Sequence, residues 1–231
     1  MFSELEIIEG TFIKESKNRF LCEVLVDGTI EECYVPSSSR IDNYLKLNKK
    51  KVLLSRNIGK NVRTKYSLFA VYYYNKFILL NLNKVNDILI QYLSETVLDE
   101  KQIYTIKKEE FINGYKSDLV IKEFNNPLGK IIEAKGIIDI RKEIHFPKVH
   151  SDRALKQLMN IKTLLKNHYD VEYYFVSLSP IVKKVNITSL TPEYFKILCE
   201  CLNSGLKIKG ISINIDRKMN IEFNKLNINI N

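Results

Sequence analysis

The pattern of predicted secondary structure changes near residue 83. This change limits the possible folds of the chain more than any other feature of the sequence. Residues 1–82 read as short strands separated by turns, and Asp27-Gly28 and Tyr74-Asn75 are turn signals. A short helix is predicted over Ile41–Leu47. The predicted strands are Leu5–Lys14, Asn18–Val26, Thr29–Val35, Lys51–Ser55, Ser67–Tyr74 and Lys76–Leu82. Five or six strands in about eighty residues favour a small closed barrel, either OB-like or SH3-like.

Helices and strands alternate in the rest of the chain. One helix is predicted over Asn86–Leu98, a second follows Ser151 as its N-cap, and a third opens at Thr191-Pro192 and closes at Gly205. The predicted strands are Ser117–Lys122, Lys130–Ala134, Ile137–Ile140, Val171–Leu178 and Leu206–Ile215. This order predicts the α/β class, with an OB-like β-barrel over residues 1–82 and an α/β domain with a central mixed sheet over 83–231.

The composition indicates a soluble protein with an excess of basic residues. The chain has 36 Lys and Arg against 27 Asp and Glu, which gives a formal charge of +9. A nucleic acid is one partner that explains this charge, and a genome rich in lysine codons is the other explanation. We find no secretory signal and no apolar stretch long enough to cross a bilayer, so we expect a cytoplasmic location without a membrane. Cys22 and Cys33, opposite each other across the Asp27-Gly28 turn, are therefore predicted to be packed thiols.

Asp118 and the tripeptide Glu133-Ala134-Lys135 are the candidate catalytic residues. Asn125–Gly129 is a turn cluster between the two strands that carry them. A four-residue loop over Asn125–Leu128 would place Asp118 opposite Lys135 and diagonal to Glu133, on one face of the sheet. A five-residue loop would turn Glu133 to the other face and abolish the site.

Two carboxylates beside an ammonium group suit the hydrolysis of a phosphodiester. Asp118 and Glu133 can share one hard cation such as Mg²⁺, which keeps several waters. Lys135 can orient a water or stabilise charge on the phosphate. Glu110 or Glu109 could supply a third carboxylate. A solvated strand end with ordinary charges is the competing interpretation of the same residues.

Six short motifs follow one another along nearly the whole chain. They are Asn18-Arg19-Phe20, Tyr34 to Arg40, Arg63-Thr64-Lys65-Tyr66, Glu110 to Asp118 with Gly114 between them, Ile131 to Gly136, and Phe146 to Leu158. In this order they resemble the sugar fermentation stimulation protein A family. The chain departs from the family pattern where Lys116, Ser37-Ser38-Ser39 and Gln157 replace an arginine, Asn-Thr-Gly and a histidine.

The resemblance implies an OB-like domain followed by a restriction-endonuclease-like domain of the PD-(D/E)xK type. It implies a nuclease that acts on DNA or RNA with Mg²⁺ or Mn²⁺, in which Asp118 and Glu133 bind the metal and Lys135 is the catalytic lysine. Glu110 would be a carboxylate on a helix. The basic positions implied to bind nucleic acid are Arg19, Arg40, Arg63, Lys65, Lys116, Arg153 and Lys156.

Two other functions fit the same sequence. One is a DNA-binding regulator without catalysis, which agrees with the basic charge and with the family's name. The other is a single-strand-binding protein in which the barrel carries the function. The sequence leaves the oligomeric state open, a homodimer included.

Overall fold

The N-terminal strands close into a barrel in this computed structural model. The structure describes residues 2, 5–37, 40–59, 62–98, 103–123, 126–147 and 150–231, the side chains of 126–128 excepted. The strands are β1 (Ile7–Glu15), β2 (Leu21–Val26), β3 (Thr29–Tyr34), β4 (Lys51–Arg56), β5 (Tyr66–Tyr73) and β6 (Lys76–Leu79). Their order is β3-β2-β1-β4-β5-β6, and a parallel pairing of β3 with β5 closes the first five strands. The predicted OB-like barrel is confirmed.

Local turn chemistry explains the hairpins of the barrel. Asp27 and Gly28 have φ of 48° and 80°, and Tyr74 and Asn75 have φ of 48° and 59°, as a type I′ turn requires. The register that follows places Cys22 opposite Cys33, both buried as free thiols.

The predicted helix over Ile41–Leu47 is wrong beyond its first turn, which is a 3-10 helix at Ile41–Asn43. Leu45 and Leu47 are both buried two residues apart. This spacing suits an extended segment, because residues two apart do not share one face of a helix.

Three α-helices and eleven further strands follow among the residues that the structure describes. The helices are α1 (Val85–Thr96), α2 (Asp152–Lys166) and α3 (Pro192–Asn203). The longer strands are β7 (Tyr104–Lys108), β10 (Leu119–Glu123), β11 (Asn126–Ile137), β13 (Asp170–Ser177), β15 (Lys207–Ile215) and β16 (Ile221–Lys225). The short strands are β8 (Phe111–Ile112), β9 (Tyr115–Lys116), β12 (Glu143–Phe146), β14 (Lys184–Ile187) and β17 (Asn227–Ile230). Among the described residues, no helix combines the length and apolar character needed to span a bilayer.

The central sheet is mixed, as predicted. Its order is β16-β15-β13-β11-β10-β7, with β11, β13 and β15 parallel to one another and the outer strands antiparallel. The chain passes through α2 between β11 and β13 and through α3 between β13 and β15, as parallel strands require. Strands β12, β14 and β17 form a small parallel sheet that the sequence pattern did not predict.

The two faces of the sheet have different neighbours. Ile131, Tyr173 and Phe175 pack with α2 and α3, whereas Ile132 and Tyr174 pack with α1 and the core of the barrel. A main-chain hydrogen bond also joins the barrel to the rest of the chain: the N–H of Leu79 donates to the carbonyl of Leu178 at 3.0 Å. The barrel is therefore fixed against the sheet through a continuous core.

The hairpin of β10 and β11 corrects two predictions. The predicted strand Lys130–Ala134 lies within a longer strand, β11, which ends at Ile137, so the predicted strand Ile137–Ile140 is wrong beyond its first residue. The predicted loop Asn125–Leu128 is wrong because β11 already begins at Asn126, while Asn125 itself lies outside the described residues. Between the pairs Ile121↔Lys130 and Glu123↔Asn126, one residue of β10 faces three of β11. This bulge contains Gly129, which has φ of 70°.

We expect Gly129→Ala to destabilise the protein by about 2–4 kcal/mol. A Cβ at position 129 would lie 2.7 Å from the carbonyl oxygen of Ile121, and the left-handed backbone adds its own cost. Gly114→Ala is the matched control, because Gly114 has φ of 77° but no described atom within 4 Å of the point that a Cβ would occupy. That variant should lose about 1 kcal/mol. Equal losses for the two variants in urea unfolding would show that contact with β10 at the bulge is unimportant.

Candidate active site

The pairing of β10 with β11 brings Asp118 and Glu133 together. Leu119 pairs with Ile132, so Asp118, one residue earlier, lies directly opposite Glu133. One carboxylate oxygen of Asp118, Oδ2, accepts a hydrogen bond of 2.9 Å from the backbone N–H of Ala134. The two acids share one face of the sheet, as an even-length connection requires, but they are direct neighbours where the sequence predicted diagonal ones.

Glu133 is a buried carboxylate that is only partly hydrogen-bonded. It is 1% exposed, and its Oε2 accepts a hydrogen bond of 2.6 Å from Gln157 of α2. Its Oε1 is buried and has no hydrogen-bond partner in the described part of the chain. Burial, and after it the charge of Asp118, raises the pKa of Glu133 to about 8. Burial and Glu133 in turn raise the pKa of the neighbouring Tyr115 hydroxyl.

Lys135 follows on the same face of β11, because side chains two apart on a strand point to one side. Burial lowers its pKa, the charge of Arg153 lowers it further, and Asp118 acts in the opposite direction. Its ammonium nitrogen lies 5.8 Å from the centre of the Phe146 ring. Lys135 is therefore a partly desolvated cation between the two acids and α2.

These side chains line a cleft of about 280 Å³. Its walls are Tyr115, Lys116, Asp118, Glu133, Ala134, Lys135, Arg153, Lys156, Gln157 and Asn160. The structure thus brings together three of the four predicted catalytic residues and three of the seven predicted basic residues. Acids lie on the sheet side, and cations from α2 face them.

Glu110 is not where the resemblance implies. It lies in the bend between β7 and β8, not on a helix, and its Oε1 accepts a hydrogen bond of 2.7 Å from Lys122. That hydrogen bond lowers the pKa of Glu110. Glu109 pairs with Lys116 at 2.6 Å. Neither acid is among the described residues that line the cleft, and those residues contain no group of three His, Cys, Asp or Glu side chains arranged to hold a metal ion.

Four of the predicted basic residues belong to the barrel and lie outside the cleft lining. Arg40 donates hydrogen bonds to the carbonyls of Ser16 and Lys17 at 3.1 and 2.8 Å, so it holds the β1–β2 connection. Arg19 stacks over Phe20 at 4.6 Å, and the Lys65 ammonium lies 3.7 Å from Glu31. Arg63 is exposed.

Sequence reasoning missed Tyr115 and Gln157 as members of the site. Gln157 lies four residues after Arg153 on α2, so the helical repeat places it on the same side. That spacing was the signal available for Gln157. Tyr115 lies on the two-residue strand β9 and gave no comparable signal.

Comparison with known proteins identifies two family models that match the chain. Residues 15–80 match the family model described as the SfsA N-terminal OB domain, and residues 83–219 match the sugar fermentation stimulation protein RE domain. A sugar fermentation stimulation protein homolog from Alkaliphilus oremlandii is 29% identical over 168 residues, covering 71% of each chain. One from Desulfitobacterium hafniense is 25% identical over 216 residues, covering 90% of each.

The fold of the whole chain also matches a solved structure, that of Pyrococcus furiosus SfsA in complex with Ca²⁺. The TM-score is 0.81 at 16% identity, and the match covers 98% of this chain and 96% of the other. An identity this low supports the fold alone. The two family models, which cover most of its length, show that the chain belongs to the sugar fermentation stimulation protein family.

Proposed function

We propose that this protein is a divalent-metal-dependent nuclease that hydrolyses phosphodiester bonds in DNA or RNA. The observation that carries the proposal is the pair of acids Asp118 and Glu133, opposed on neighbouring strands with Lys135 beside them in one cleft. Glu133 is buried and Asp118 is half-buried, and two carboxylates in such surroundings cost free energy unless a cation or proton neutralises them. Acids that burial and a like charge perturb in this way, within a cleft, are candidates for a functional site.

The donor set fits a hard divalent cation. One oxygen of each acid is held by a protein N–H group, which fixes its orientation, and Oε1 of Glu133 is left without a partner among the described residues. Mg²⁺ binds proteins through one or two carboxylates and keeps several waters, so a third carboxylate is not required. The related Pyrococcus furiosus protein was solved with Ca²⁺, which supports Mg²⁺ or Mn²⁺ bound by Asp118 and Glu133 here.

The residues of the cleft then have distinct roles. When bound, the cation offsets charge on the scissile phosphate and lowers the pKa of a water. Lys135 stabilises the negative charge that develops on the phosphate, and the burial that lowers its pKa also keeps the ammonium weakly hydrated. Gln157 and the N–H of Ala134 hold the acids in place. Lys116, Arg153 and Lys156 bind the neighbouring phosphates.

We propose that the barrel binds the nucleic acid. We divide the chain into a binding domain over residues 1–82 and a nuclease domain over 83–231, which agrees with the limits of the two family matches. Arg19, Arg63 and Lys65 are exposed on the barrel, and the net charge of +9 favours a polyanion. Arg40 supports this surface by fixing the β1–β2 connection.

A non-catalytic DNA-binding regulator is the second candidate. It is favoured by the position of Glu110, which is paired with Lys122 away from the two acids and so does not complete a set of three carboxylates. The names of the relatives, which refer to sugar fermentation, agree with a regulator. A cleavage assay separates the two functions.

Asp118→Asn and Glu133→Gln should each lower the rate of cleavage by about 100-fold or more, because each removes a charge from the site. Labelled single- and double-stranded DNA and RNA are incubated with Mg²⁺, Mn²⁺ or EDTA, and binding is measured in parallel. Glu110→Gln is the matched control, with the same loss of charge outside the cleft, and should change the rate by less than about threefold. Wild-type protein that binds but never cuts would establish the regulator.

Divalent cations should raise the melting temperature of the wild-type protein. A cation at about 100 times its Kd stabilises the folded state by about 2.7 kcal/mol. Differential scanning fluorimetry with Mg²⁺, Mn²⁺ or Ca²⁺ measures the shift, and Asp118→Asn and Glu133→Gln should remove it while Glu110→Gln keeps it. A shift that persists in both site variants would place the cation elsewhere.

The stability of the metal-free protein should depend on pH through Glu133. Its pKa in the folded state is raised from 4.5 to about 8, so its contribution to the free energy of unfolding is complete below pH 4.5 and is lost as the pH rises through 8. In EDTA, Glu133→Gln should therefore become more stable relative to wild type as the pH rises, by on the order of a few kcal/mol at pH 9.

Urea unfolding at pH 5, 7 and 9 measures this difference. Glu172→Gln provides the contrast, since Glu172 is also buried but pairs with Lys130 and Lys209 at 3.4 and 2.9 Å. That variant should be destabilised at pH 9 because it leaves two cations without their partner. A difference between Glu133→Gln and wild type that does not change with pH would contradict the interpretation.

A further inference from the structure

A second cavity of about 550 Å³ adjoins the cleft. We call it the junction pocket, because barrel and sheet both form its walls. Asn43 and Tyr44 come from the barrel, and Ile137, Ile144, Phe146 and Ala154 come from β11, β12 and α2. Its volume lies in the range of about 300–1,000 Å³ that small-molecule sites occupy.

Lys135 lines both the cleft and the junction pocket. Glu133, Lys135 and Ile137 alternate along one face of β11, and each step of two residues advances about 7 Å along a strand. The acids therefore lie on one side of the ammonium group and the apolar wall on the other. A ligand with a phosphate at Lys135 would have its next chemical group at the mouth of this pocket.

The walls of the junction pocket are apolar and held in place. Ile137, Ile144 and Ala154 are 6%, 2% and 5% exposed. The ring of Phe146 packs edge-on against Phe175 and Tyr194, with centroids at 5.1 and 5.7 Å. These contacts give the pocket a preformed shape before any ligand enters.

The barrel side of the pocket is also fixed. The hydroxyl of Tyr44 shares a hydrogen bond of 2.8 Å with Ser37, which anchors the ring within the barrel. Asn43, in the same 3-10 turn, is exposed at the rim and offers one amide donor and one acceptor group. An apolar chamber with a polar rim suits a flat heterocycle whose edge carries donors and acceptors.

We propose that the junction pocket binds the nucleobase of a nucleotide adjoining the scissile phosphate. This inference rests on the proposed nuclease function and adds a substrate class to it. Of the parts of a nucleic-acid strand, the base alone has the apolar faces that these walls match, whereas sugar and phosphate are polar. The cations Lys135 and Arg153 beside the pocket suit the phosphate that precedes or follows the base.

The proposal determines the form of the substrate. A base inside a duplex must leave its stack to enter a side pocket, at a cost of a few kcal/mol. Single strands, mismatches and frayed ends do not bear this cost in full. The pocket therefore selects strands with an unstacked base next to the bond that is cut.

An oligothymidine with one abasic nucleotide tests this selection. The bonds between its thymidines are chemically equal, so the only difference along the strand is the missing base. The products of wild-type cleavage should therefore show a rate reduced about tenfold at one bond, at a fixed offset from the abasic nucleotide, which is the loss expected for one stacked base. Oligouridine with one abasic ribose repeats the test for RNA. Equal rates of cleavage at all bonds around the abasic position, in both polymers, would overturn the proposal.

Asn43→Trp, which blocks the mouth of the pocket, completes the test. This variant should cut intact strands about tenfold more slowly than wild type. At the bond that the abasic nucleotide slows in the wild-type reaction, the variant and the wild type should cut at the same rate. Asn48→Trp is the matched control, since Asn48 is also exposed but does not line the pocket. Equal losses for Asn43→Trp on intact and abasic bonds would assign the effect to general damage and contradict the proposal.

A binding measurement keeps the proposal testable if the protein does not cut. A 2-aminopurine base is placed at successive positions of a short single strand, and its fluorescence is recorded with protein and Ca²⁺. Unstacking should brighten it several-fold at one position with wild type and Asn48→Trp, but not with Asn43→Trp. No brightening at any position would refute the base pocket, whereas brightening without cleavage would refute the nuclease alone.

Discussion

Main-chain hydrogen bonds between β10 and β11 decide which side chains meet at the cleft. They place Asp118 opposite Glu133, and the two-residue period of β11 then adds Lys135 on the same face. Because α2 packs on that face, Gln157 reaches Glu133 from the helix and Arg153 lines the same cleft. A change of register by one residue would turn Glu133 into the core shared with α1 and the barrel.

Two buried glutamates on adjacent strands show what distinguishes the site from ordinary packing. Ile132 pairs with Glu172, so Glu133 and Glu172 occupy neighbouring strands but opposite faces. Glu172 is neutralised by Lys130 and Lys209, whereas Glu133 faces another acid and has one oxygen without a partner among the described residues. The negative charge of Glu172 is balanced by its two lysine partners. The charges of Glu133 and its acidic neighbour are balanced only with a further positive charge. That difference supports a function for Glu133 more strongly than its burial does.

Local signals predicted the elements that depend on local chemistry. The Asp27-Gly28 hairpin and the Ser151 cap of α2 follow from turn and helix preferences, and both are confirmed. That Asp118 and Glu133 share one face of the sheet was predictable, because this depends on whether the connection between their strands has an odd or an even number of residues. Their direct opposition was not, because the bulge at Gly129 shifts the pairing by two residues without a clear sequence signal.

Other features depend on tertiary structure and gave no such signal. Strands β12, β14 and β17 have four residues each, and they pair across long separations in the sequence. The pairing of Glu110 with Lys122 likewise depends on how β7 and β8 meet β10. A pattern of residue types cannot specify contacts of this kind.

The hydrogen bond from Leu79 to Leu178 and a shared apolar core join the barrel to the sheet. Two domains on a loose tether would sample many separations, and a strand held by one would meet the other at random. Here the distance and direction from the barrel surface to the cleft are properties of the main chain. A nucleic acid that the barrel binds as proposed would therefore reach the cleft with a fixed polarity. The number of nucleotides between the bound segment and the scissile bond would also be fixed, because the fold sets the distance between the two sites.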